Sequence, residues 1–312
     1  MTDRNGALTW MDEPYRFKVL HEGRLLTAYN KGNPQYGDFF KAFPNIEPVH
    51  TLSGLPVTAS GAANFNHHKS IFLGLGRLGG HNFYHDCYPP FAAYRPFPSG
   101  DIVQVDAHVR GETDAVVLAA RNEWVPKVDV PAPLRQFFAP AQGTDGSEPE
   151  RVCTERRTVR FALARGCYTI DVDSEFEATD GELYFGQDGH SYLGVRVADA
   201  IDEEDGGLVT DSAGRSGCDA INEQVADWVD YSGSLGEHAV GIAVMNHPAN
   251  LPTLFRARAY GFFGPSPFFA ADHRLPAGER LLFRYRVVVH DGDASAVDLP
   301  RLFDEFRSVS RL

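Results

Sequence analysis

Two adjacent histidines and a lysine precede a short apolar run, and these are the residues best suited to chemistry. Residues 66–70 read Asn-His-His-Lys-Ser, and the strand-like residues 71–73 follow. Imidazole is the side chain most easily poised near neutral pH, so it serves in proton transfer or as a metal ligand. The pattern predicts a polar site on a β scaffold. The alternative is that His67 and His68 are surface histidines beside the end of a strand.

Two further strand-like segments place arginines on one face. Arg196 shares its face with Gly194 and with an alanine two residues further on, which predicts open space beside the guanidinium. Arg258 shares its face with Arg256 and Tyr260, a set that can bind hydroxyls or a carboxylate. The alternatives are an ordinary exposed arginine and salt bridges with the acidic surface of the protein.

Two more segments carry histidines. His247 and Asn250 stand in a Pro-containing turn after a strand, and rigid loops of this kind often carry sites. His81 and His85, with Asp86, could supply metal ligands, although the strand-like residues between the two histidines separate them.

A glycine-rich run at residues 74–80 contains the spacing Gly-x-Gly-x-x-Gly. No strand–helix–strand unit surrounds it, so we interpret the run as a turn and expect no nucleotide cofactor. The sequence identifies no other cofactor. Binding of a divalent metal by histidines is left as an alternative, without an assigned set of ligands.

The composition favours short strands and excludes several partners. Its 22 Phe and 12 Tyr, with 30 Gly and 20 Pro, indicate an all-β chain with many turns. A net charge of −13 without a basic cluster disfavours nucleic acid and anionic membranes. Four cysteines without Cys-x-x-Cys spacing indicate neither a structural zinc site nor a disulfide framework. With no signal sequence and no run of eighteen apolar residues, the protein is expected to be cytoplasmic.

Alternating side chains predict the main strands. In residues 167–177 the acidic side chains fall on one face, which describes a strand with one wet side, and residues 281–290 alternate in the same way. Further strands are predicted at residues 114–119, 157–163, 193–198 and 239–245. Asp298 is expected to cap a C-terminal helix, and a long loop or insertion is expected at about 126–150 within a single domain, residues 1–312.

Residues 66–72 resemble the Pro-His-His-Arg-Ser-Leu-Trp signature of a soluble bacterial family labelled "methane oxygenase PmoA". Further matches follow in order at residues 122–124, 155–161, 194–197, 228–233, 241–250 and 258–261. Particulate methane oxygenase is a membrane protein, and this chain has no spanning segment, so the label does not describe it. The sequence departs from the family pattern at three positions. The family usually has Arg where Lys69 stands, an acidic residue near the position of His190, and Asp in place of Ala259.

The resemblance implies a β-sandwich protein found beside sugar dehydrogenases. We therefore expect a large antiparallel β-sandwich of the supersandwich kind used by sugar mutarotases, with a C-terminal helix. The expected function is a lyase or hydratase acting on an oxidised (keto) sugar or glycoside by histidine acid/base chemistry, after a sugar dehydrogenase has made the ketone. A mutarotase or epimerase and a non-catalytic sugar-binding protein are the alternatives.

The expected site joins segments that are distant in the sequence. His67, His68 and His247 are predicted to be catalytic. Because successive strand residues face opposite ways, only one of the adjacent pair is expected to reach the substrate unless a bulge intervenes. The predicted substrate-binding residues are Lys69, His190, Arg196, Asn250, Arg258 and Tyr260. If the hypothesis holds, the histidine pair, Arg196, His247 and Arg258 line one pocket.

Overall fold

A computed structural model describes residues 8–32, 43–61, 65, 67–85, 99–126, 151–310 and 312. In chain order the strands of these ranges are β1 (Leu8–Asp12), β2 (Arg16–His21), β3 (Arg24–Asn30), β4 (Asn45–Val49), β5 (Ile71–Leu73), β6 (Gly100–Gly111), β7 (Ala115–Pro126), β8 (Cys153–Ala164), β9 (Cys167–Glu177), β10 (Leu183–Phe185), β11 (Leu193–Arg196), β12 (Leu208–Asp211), β13 (Trp228–Leu235), β14 (His238–Asn246), β15 (Leu254–Arg258), β16 (Phe262–Ser266), β17 (His273–Leu275) and β18 (Arg280–Asp291). The α-helices of the same ranges are α1 (Cys218–Ile221) and α2 (Leu299–Ser308).

The strands form two large antiparallel sheets. The first sheet has the order β1-β2-β3-β4-β5-β11-β16-β15, and the second has the order β12-β13-β14-β18-β9-β8-β7-β6. Strands β10 and β17 form a separate antiparallel pair. The predicted strand at residues 167–177 is β9, and the other predicted strands overlap β7, β8, β11, β14 and β18. Apart from Pro126, which ends β7, the loop predicted at about 126–150 lies outside the described residues.

The two sheets pack face to face through aromatic and branched side chains. Tyr231 of β13 stacks on Phe263 of β16, with ring centroids 4.4 Å apart, and Tyr192 packs on Phe283 of β18 at 5.0 Å. All four residues are buried. Alternation along each strand sends every second side chain into this layer, and buried aromatic rings contribute large apolar areas to it. The predicted all-β antiparallel sandwich is confirmed.

The face of β9 that was predicted to be exposed to solvent is buried. Asp171 and Asp173 lie opposite Arg286 and Arg284 on β18. Arg286 donates two hydrogen bonds to Asp171, at 2.6 and 2.8 Å, and Arg284 donates one to Asp173 at 3.2 Å. Arg286 also binds the carbonyl oxygen of Leu302 on α2 at 3.0 Å. The prediction of a solvated face was wrong because α2 covers these cross-strand ion pairs.

Helix α2 forms where the sequence predicted it. The Asp298 carboxylate accepts a hydrogen bond from the backbone N–H of Arg301 at 3.1 Å and so caps the first turn. The apolar residues of the helix are buried against the second sheet: Leu299, Leu302, Phe303 and Phe306. In the part of the chain that the structure describes, no helix combines the length and apolar character needed to cross a membrane.

A buried ion pair lies between the sheets. Glu155 accepts hydrogen bonds from Arg157, at 2.8 Å to each carboxylate oxygen, and from Asn122, Trp124 and Ser174. Burial alone would raise the pKa of Glu155, but the Arg157 charge and the other donors hold that pKa below its usual value. Motif residues that carried the family resemblance therefore have structural contacts here.

Candidate functional site

Four histidines line one cavity on the outer face of the first sheet. The cavity has a volume of about 320 Å³, the size of a small-molecule site. Its lining consists of Phe65, His67, His68, Tyr84, His85, Gly189, His190, Arg256, Arg258, Tyr260 and Phe262.

The floor of the cavity is built over a glycine. Gly194 of β11 pairs with Phe72 of β5, and a Cβ at Gly194 would lie 2.9 Å from ring carbons of both Phe72 and Phe262. The missing side chain lets these rings lie close to the sheet. His68 stacks on Phe262, with centroids 4.2 Å apart and planes 14° apart. The open space predicted beside Arg196 is therefore filled by the two rings.

Parallel rings form one wall. Phe65 stacks with Tyr260 at 4.8 Å and with His68 at 4.9 Å, and the planes diverge by 7° and 6° respectively. His67 meets His68 edge to face at 4.4 Å. Both histidines line the cavity, so strand alternation does not separate the pair as expected. The reason is local, because His67 lies in a turn where the strand alternation does not apply.

The other two histidines continue the lining from His67. The His85 ring lies 4.8 Å from the His67 ring and 4.3 Å from the His190 ring. The carboxamide oxygen of Asn82 accepts hydrogen bonds from the backbone N–H groups of Tyr84 and His85, at 2.9 and 3.0 Å. This Asn-stabilised turn fixes the position of His85.

His190 is oriented by a carboxylate. Its Nδ1 lies 2.5 Å from Oδ1 of Asp188, and its backbone N–H donates to the same oxygen at 3.3 Å. The other carboxylate oxygen of Asp188 accepts the backbone N–H of Gly76 at 2.8 Å. A carboxylate on Nδ1 fixes the ring and its tautomer, which leaves Nε2 as the proton acceptor.

His68 is neutral at physiological pH. Burial, with the positive charge of Arg196 as the second cause, lowers the pKa of His68 to about 3. Its Nδ1 atom is buried and has no hydrogen-bond partner among the described residues. A neutral imidazole of this kind can donate a hydrogen bond to a substrate oxygen without carrying a charge.

The two tyrosines of the cavity keep their protons. Burial raises the pKa of Tyr84 and of Tyr260. The Tyr84 hydroxyl is buried without a hydrogen-bond partner in the described ranges. Both phenols are therefore available as donors at neutral pH.

Metal ligation receives no support from the described residues. Within them, no three or more His, Cys, Asp or Glu side chains are arranged to hold a metal ion. His81 is engaged in its own turn, where its Nδ1 lies 3.0 Å from the Gly79 carbonyl oxygen. Asp86, the third ligand considered with His81 and His85, lies outside the described residues.

Comparison with known families gives a match over most of the chain. Residues 16–304 match the sequence model described as a family of unknown function, DUF6807. The chain belongs to this family. No curated protein matches the DUF6807 chain.

Solved structures resemble the DUF6807 chain only distantly. A TPR-domain containing protein from Parabacteroides distasonis aligns with a TM-score of 0.36 at 10% identity, over 96% of this chain and 49% of that one. A protein described as "Putative kojibiose phosphorylase from human microbiome" aligns with a TM-score of 0.34 at 10% identity, over 98% of this chain and 37% of that one. The DUF6807 chain thus spans less than half the length of either structure.

Two residues predicted for the site lie elsewhere in the DUF6807 chain. His247 packs edge to face on Phe306 of α2 at 5.1 Å, and its Nε2 lies 3.0 Å from the Arg284 guanidinium. Asn250 exchanges hydrogen bonds with the Arg284 backbone, each at 2.8 Å. Both belong to the outer side of the second sheet, so the expected convergence of His247 with the histidine pair is wrong.

Five of the other predicted residues line the cavity, and Arg196 lies beside it. His67, His68, His190, Arg258 and Tyr260 line it. Arg196 lies just behind this lining, with its guanidinium 5.5 Å from the centroid of the Tyr260 ring. Lys69 is half-buried and is not among the lining residues.

The sequence interpretation missed two members of the DUF6807 site. His85 was considered only as a metal ligand, and Asp188 was not considered. The signal available for Asp188 was its position two residues before His190, in a Gly- and Asp-containing loop where short side chains bind nearby backbone. Nothing in the sequence indicates that His85 reaches His190, because a distant part of the chain supplies that contact.

Proposed function

We propose that this protein is a lyase or hydratase acting on an oxidised (keto) sugar or glycoside. The observation that carries the proposal is the cavity in which four imidazoles meet and one of them is oriented by Asp188. Acid/base chemistry next to a ketone needs a positioned base, donors for the developing oxyanion and an acid for the leaving group. The described residues supply a candidate for each role.

His190 is the proposed base. Because Nδ1 bonds to Asp188, Nε2 accepts the proton, and the carboxylate stabilises the imidazolium that forms. The His190 side chain is 41% exposed, so a solute can reach it. A ketone acidifies the neighbouring C–H group, which brings proton removal within the range of a histidine base.

Neutral donors are proposed to stabilise the enolate. Removal of the hydrogen places negative charge on the former ketone oxygen. His68 is neutral, and Tyr260 is protonated, so each can donate a hydrogen bond to that oxygen. Arg258 adds a positive charge on the same side of the cavity.

His67 or His85 is the proposed acid. The electrons of the broken C–H bond form a C=C bond, and the bond from the next carbon to its oxygen substituent breaks. The imidazolium of His67 or His85 transfers its proton to the departing oxygen, so an alcohol or water leaves. The His85 ring contacts both the His67 ring and the His190 ring, so a proton donor at either histidine would lie close to the proposed base.

A sugar fits the wall of the cavity. Phe65 stacks on the rings of Tyr260 and His68, and these rings give the cavity an apolar wall beside polar groups. The C–H faces of sugars pack on such rings while their hydroxyls bind polar neighbours. The resemblance to proteins found beside sugar dehydrogenases also supports this proposal, since a dehydrogenase would make the ketone.

The test uses a methyl glycoside with a ketone at C3, because that ketone acidifies the hydrogen on C2 and the methoxy group on C1 is then the leaving group. Proton NMR in deuterium oxide measures exchange at C2 and release of methanol. We expect both for the native protein and neither for His190→Ala. His247→Ala serves as the matched histidine control and should retain both activities, because His247 lies on the other sheet.

Other outcomes would redirect the assignment. Exchange at C2 without methanol release favours an epimerase. Interconversion of the anomers of a free sugar, with no exchange, favours a mutarotase. Binding of the ketone, measured by calorimetry, with no reaction at all would overturn the enzyme proposal in favour of a sugar-binding protein.

A further inference from the structure

We infer that the sugar bound in this cavity carries a carboxylate, and that Arg258 binds it. The inference builds on the proposed function only in taking the ligand to be a sugar. Arg258 lines the cavity, and its guanidinium has no ion-pair or hydrogen-bond partner among the described residues. Its own backbone N–H and C=O bond to the Tyr231 hydroxyl, each at 3.1 Å, so the position of the residue does not depend on its side chain.

The neighbouring arginine provides a contrast. Arg256 lies two residues earlier on the same face, and its guanidinium binds Glu223 at 2.7 Å and lies over the Phe269 ring at 5.2 Å. That charge is already compensated within the protein. The charge of Arg258 is not compensated by any described residue, although the protein as a whole has a net charge of −13. An uncompensated arginine in a cavity of such an acidic protein is well placed to bind an anion.

The described lining of the cavity contains no Asp or Glu. The carboxylate of Asp188, which orients His190, is occupied by the His190 imidazole and the Gly76 N–H. Behind Tyr260, Arg196 adds a second positive charge. Its Nε and Nη1 atoms are buried without hydrogen-bond partners in the described part of the chain, and only its Nη2 pairs with Asp199, at 2.7 Å. Of the arginines in or behind the lining, Arg258 is therefore the one without an ion-pair partner among the described residues.

The charge count favours a carboxylate over a phosphate. A guanidinium can bind either group through two parallel N–H groups, but one arginine neutralises the single charge of a carboxylate and only part of the charge of a phosphate. Phosphate sites in proteins use helix N-termini or clusters of backbone N–H groups, and the described lining of this cavity belongs to strands and turns. The volume of about 320 Å³ suits a single acidic sugar, such as a uronic acid.

Calorimetry on the full chain tests the inference without requiring turnover. The probes are methyl glucuronide and methyl galacturonide, each compared with its neutral methyl glycoside, and inorganic phosphate. We expect one uronide to bind about tenfold or more tightly than its neutral counterpart. Arg258→Gln should abolish the preference. Arg258→Lys keeps the charge but loses the paired N–H groups, so it should retain only part of the preference.

Arg280→Gln is the matched control, because it removes the same charge from the second sheet, where Arg280 pairs with Glu177 at 3.3 Å. It should leave the preference intact.

Three results would overturn the inference. Each uronide and its neutral glycoside could bind with equal affinity, none of them could bind, or phosphate could bind as tightly as the uronides. If the protein prefers uronides but does not react with keto-glycosides, the carboxylate site is supported and the lyase proposal is contradicted. Turnover of a neutral keto-glycoside by the native protein, with no uronide preference, would do the reverse.

Discussion

The Asp188 carboxylate accepts a hydrogen bond from Nδ1 of His190 at 2.5 Å, and a glycine makes this pairing possible. A Cβ on Gly76 would lie 2.2 Å from the second carboxylate oxygen, which instead bonds to the Gly76 N–H. The glycine-rich run that resembled a dinucleotide loop thus holds a carboxylate of the protein itself. Backbone and imidazole together keep Asp188 in one orientation, and Asp188 keeps His190 in one tautomer.

Replacement of Asp188 by Asn should reduce turnover about 100-fold or more, because the carboxamide cannot stabilise an imidazolium on His190. The rate of exchange at the carbon next to the ketone is the measurement. Asp106→Asn is a matched control, since Asp106 pairs with His108 at 3.1 Å in the same Asp-x-His spacing on an exposed strand. Equal losses in the two variants would contradict a special role for Asp188.

Acid should destabilise the protein partly through His68. The folded-state pKa of His68, about 3, is below its unfolded value, so only the unfolded chain binds this proton between about pH 6.5 and pH 3. The free energy of unfolding should therefore fall by about 1.4 kcal/mol per pH unit from this group as the pH drops through that window. Denaturant titrations of native protein and His68→Gln, compared at several pH values, measure the difference. The stability difference between the two proteins should shrink towards low pH, and a constant difference would contradict the assignment.

Replacement of Gly194 by Ala should damage both stability and the site. The added methyl group would meet Phe72 and Phe262 at 2.9 Å, which predicts a loss of about 1–3 kcal/mol of unfolding free energy. Ring displacement into the cavity should also weaken ligand binding. Gly189→Ala is the control for stability, because a Cβ there would lie at an ordinary 3.7 Å from the Phe269 ring.

Replacement of His247 by Ala should lower stability while leaving the turnover of folded protein unchanged. The Arg284 guanidinium would lose one partner, and Phe306 would lose its edge-to-face contact, which together predict a cost of about 1–3 kcal/mol. Thermal unfolding and the rate per folded molecule are the two measurements. A rate that falls with no change in stability would return His247 to the catalytic residues.

Local alternation was enough to predict β9 and β18 and to say which of their side chains share a face, because the period of two follows directly from strand geometry. It could not predict what covers a face. The acidic side of β9 is buried because α2, far along the chain, packs over its ion pairs. Burial of that kind depends on topology, which a period within one segment does not encode.

The error over His247 has the same origin. The turn that contains His247 follows β14 of the second sheet, and Arg258 ends β15 of the first sheet. The chain crosses between the sheets over the few residues in between. The prediction rested on a Pro-containing turn and on a family motif, and neither indicates the sheet to which a turn belongs. His190 and Arg258 lie together because β11, which follows His190, and β15 both pair with β16.

The floor of the cavity exists only when β5, β11 and β16 are side by side, and these pairings join Phe72 to Gly194 and Arg196 to Phe262. Contacts between such distant residues have a large loop-closure entropy and form slowly compared with hairpins. During refolding, hairpins such as β8 and β9 could thus restore most of the far-ultraviolet circular dichroism signal before any ligand could bind. Recovery of binding after dilution from denaturant would then report completion of the long-range strand pairings. Far-ultraviolet circular dichroism would detect little of that last stage.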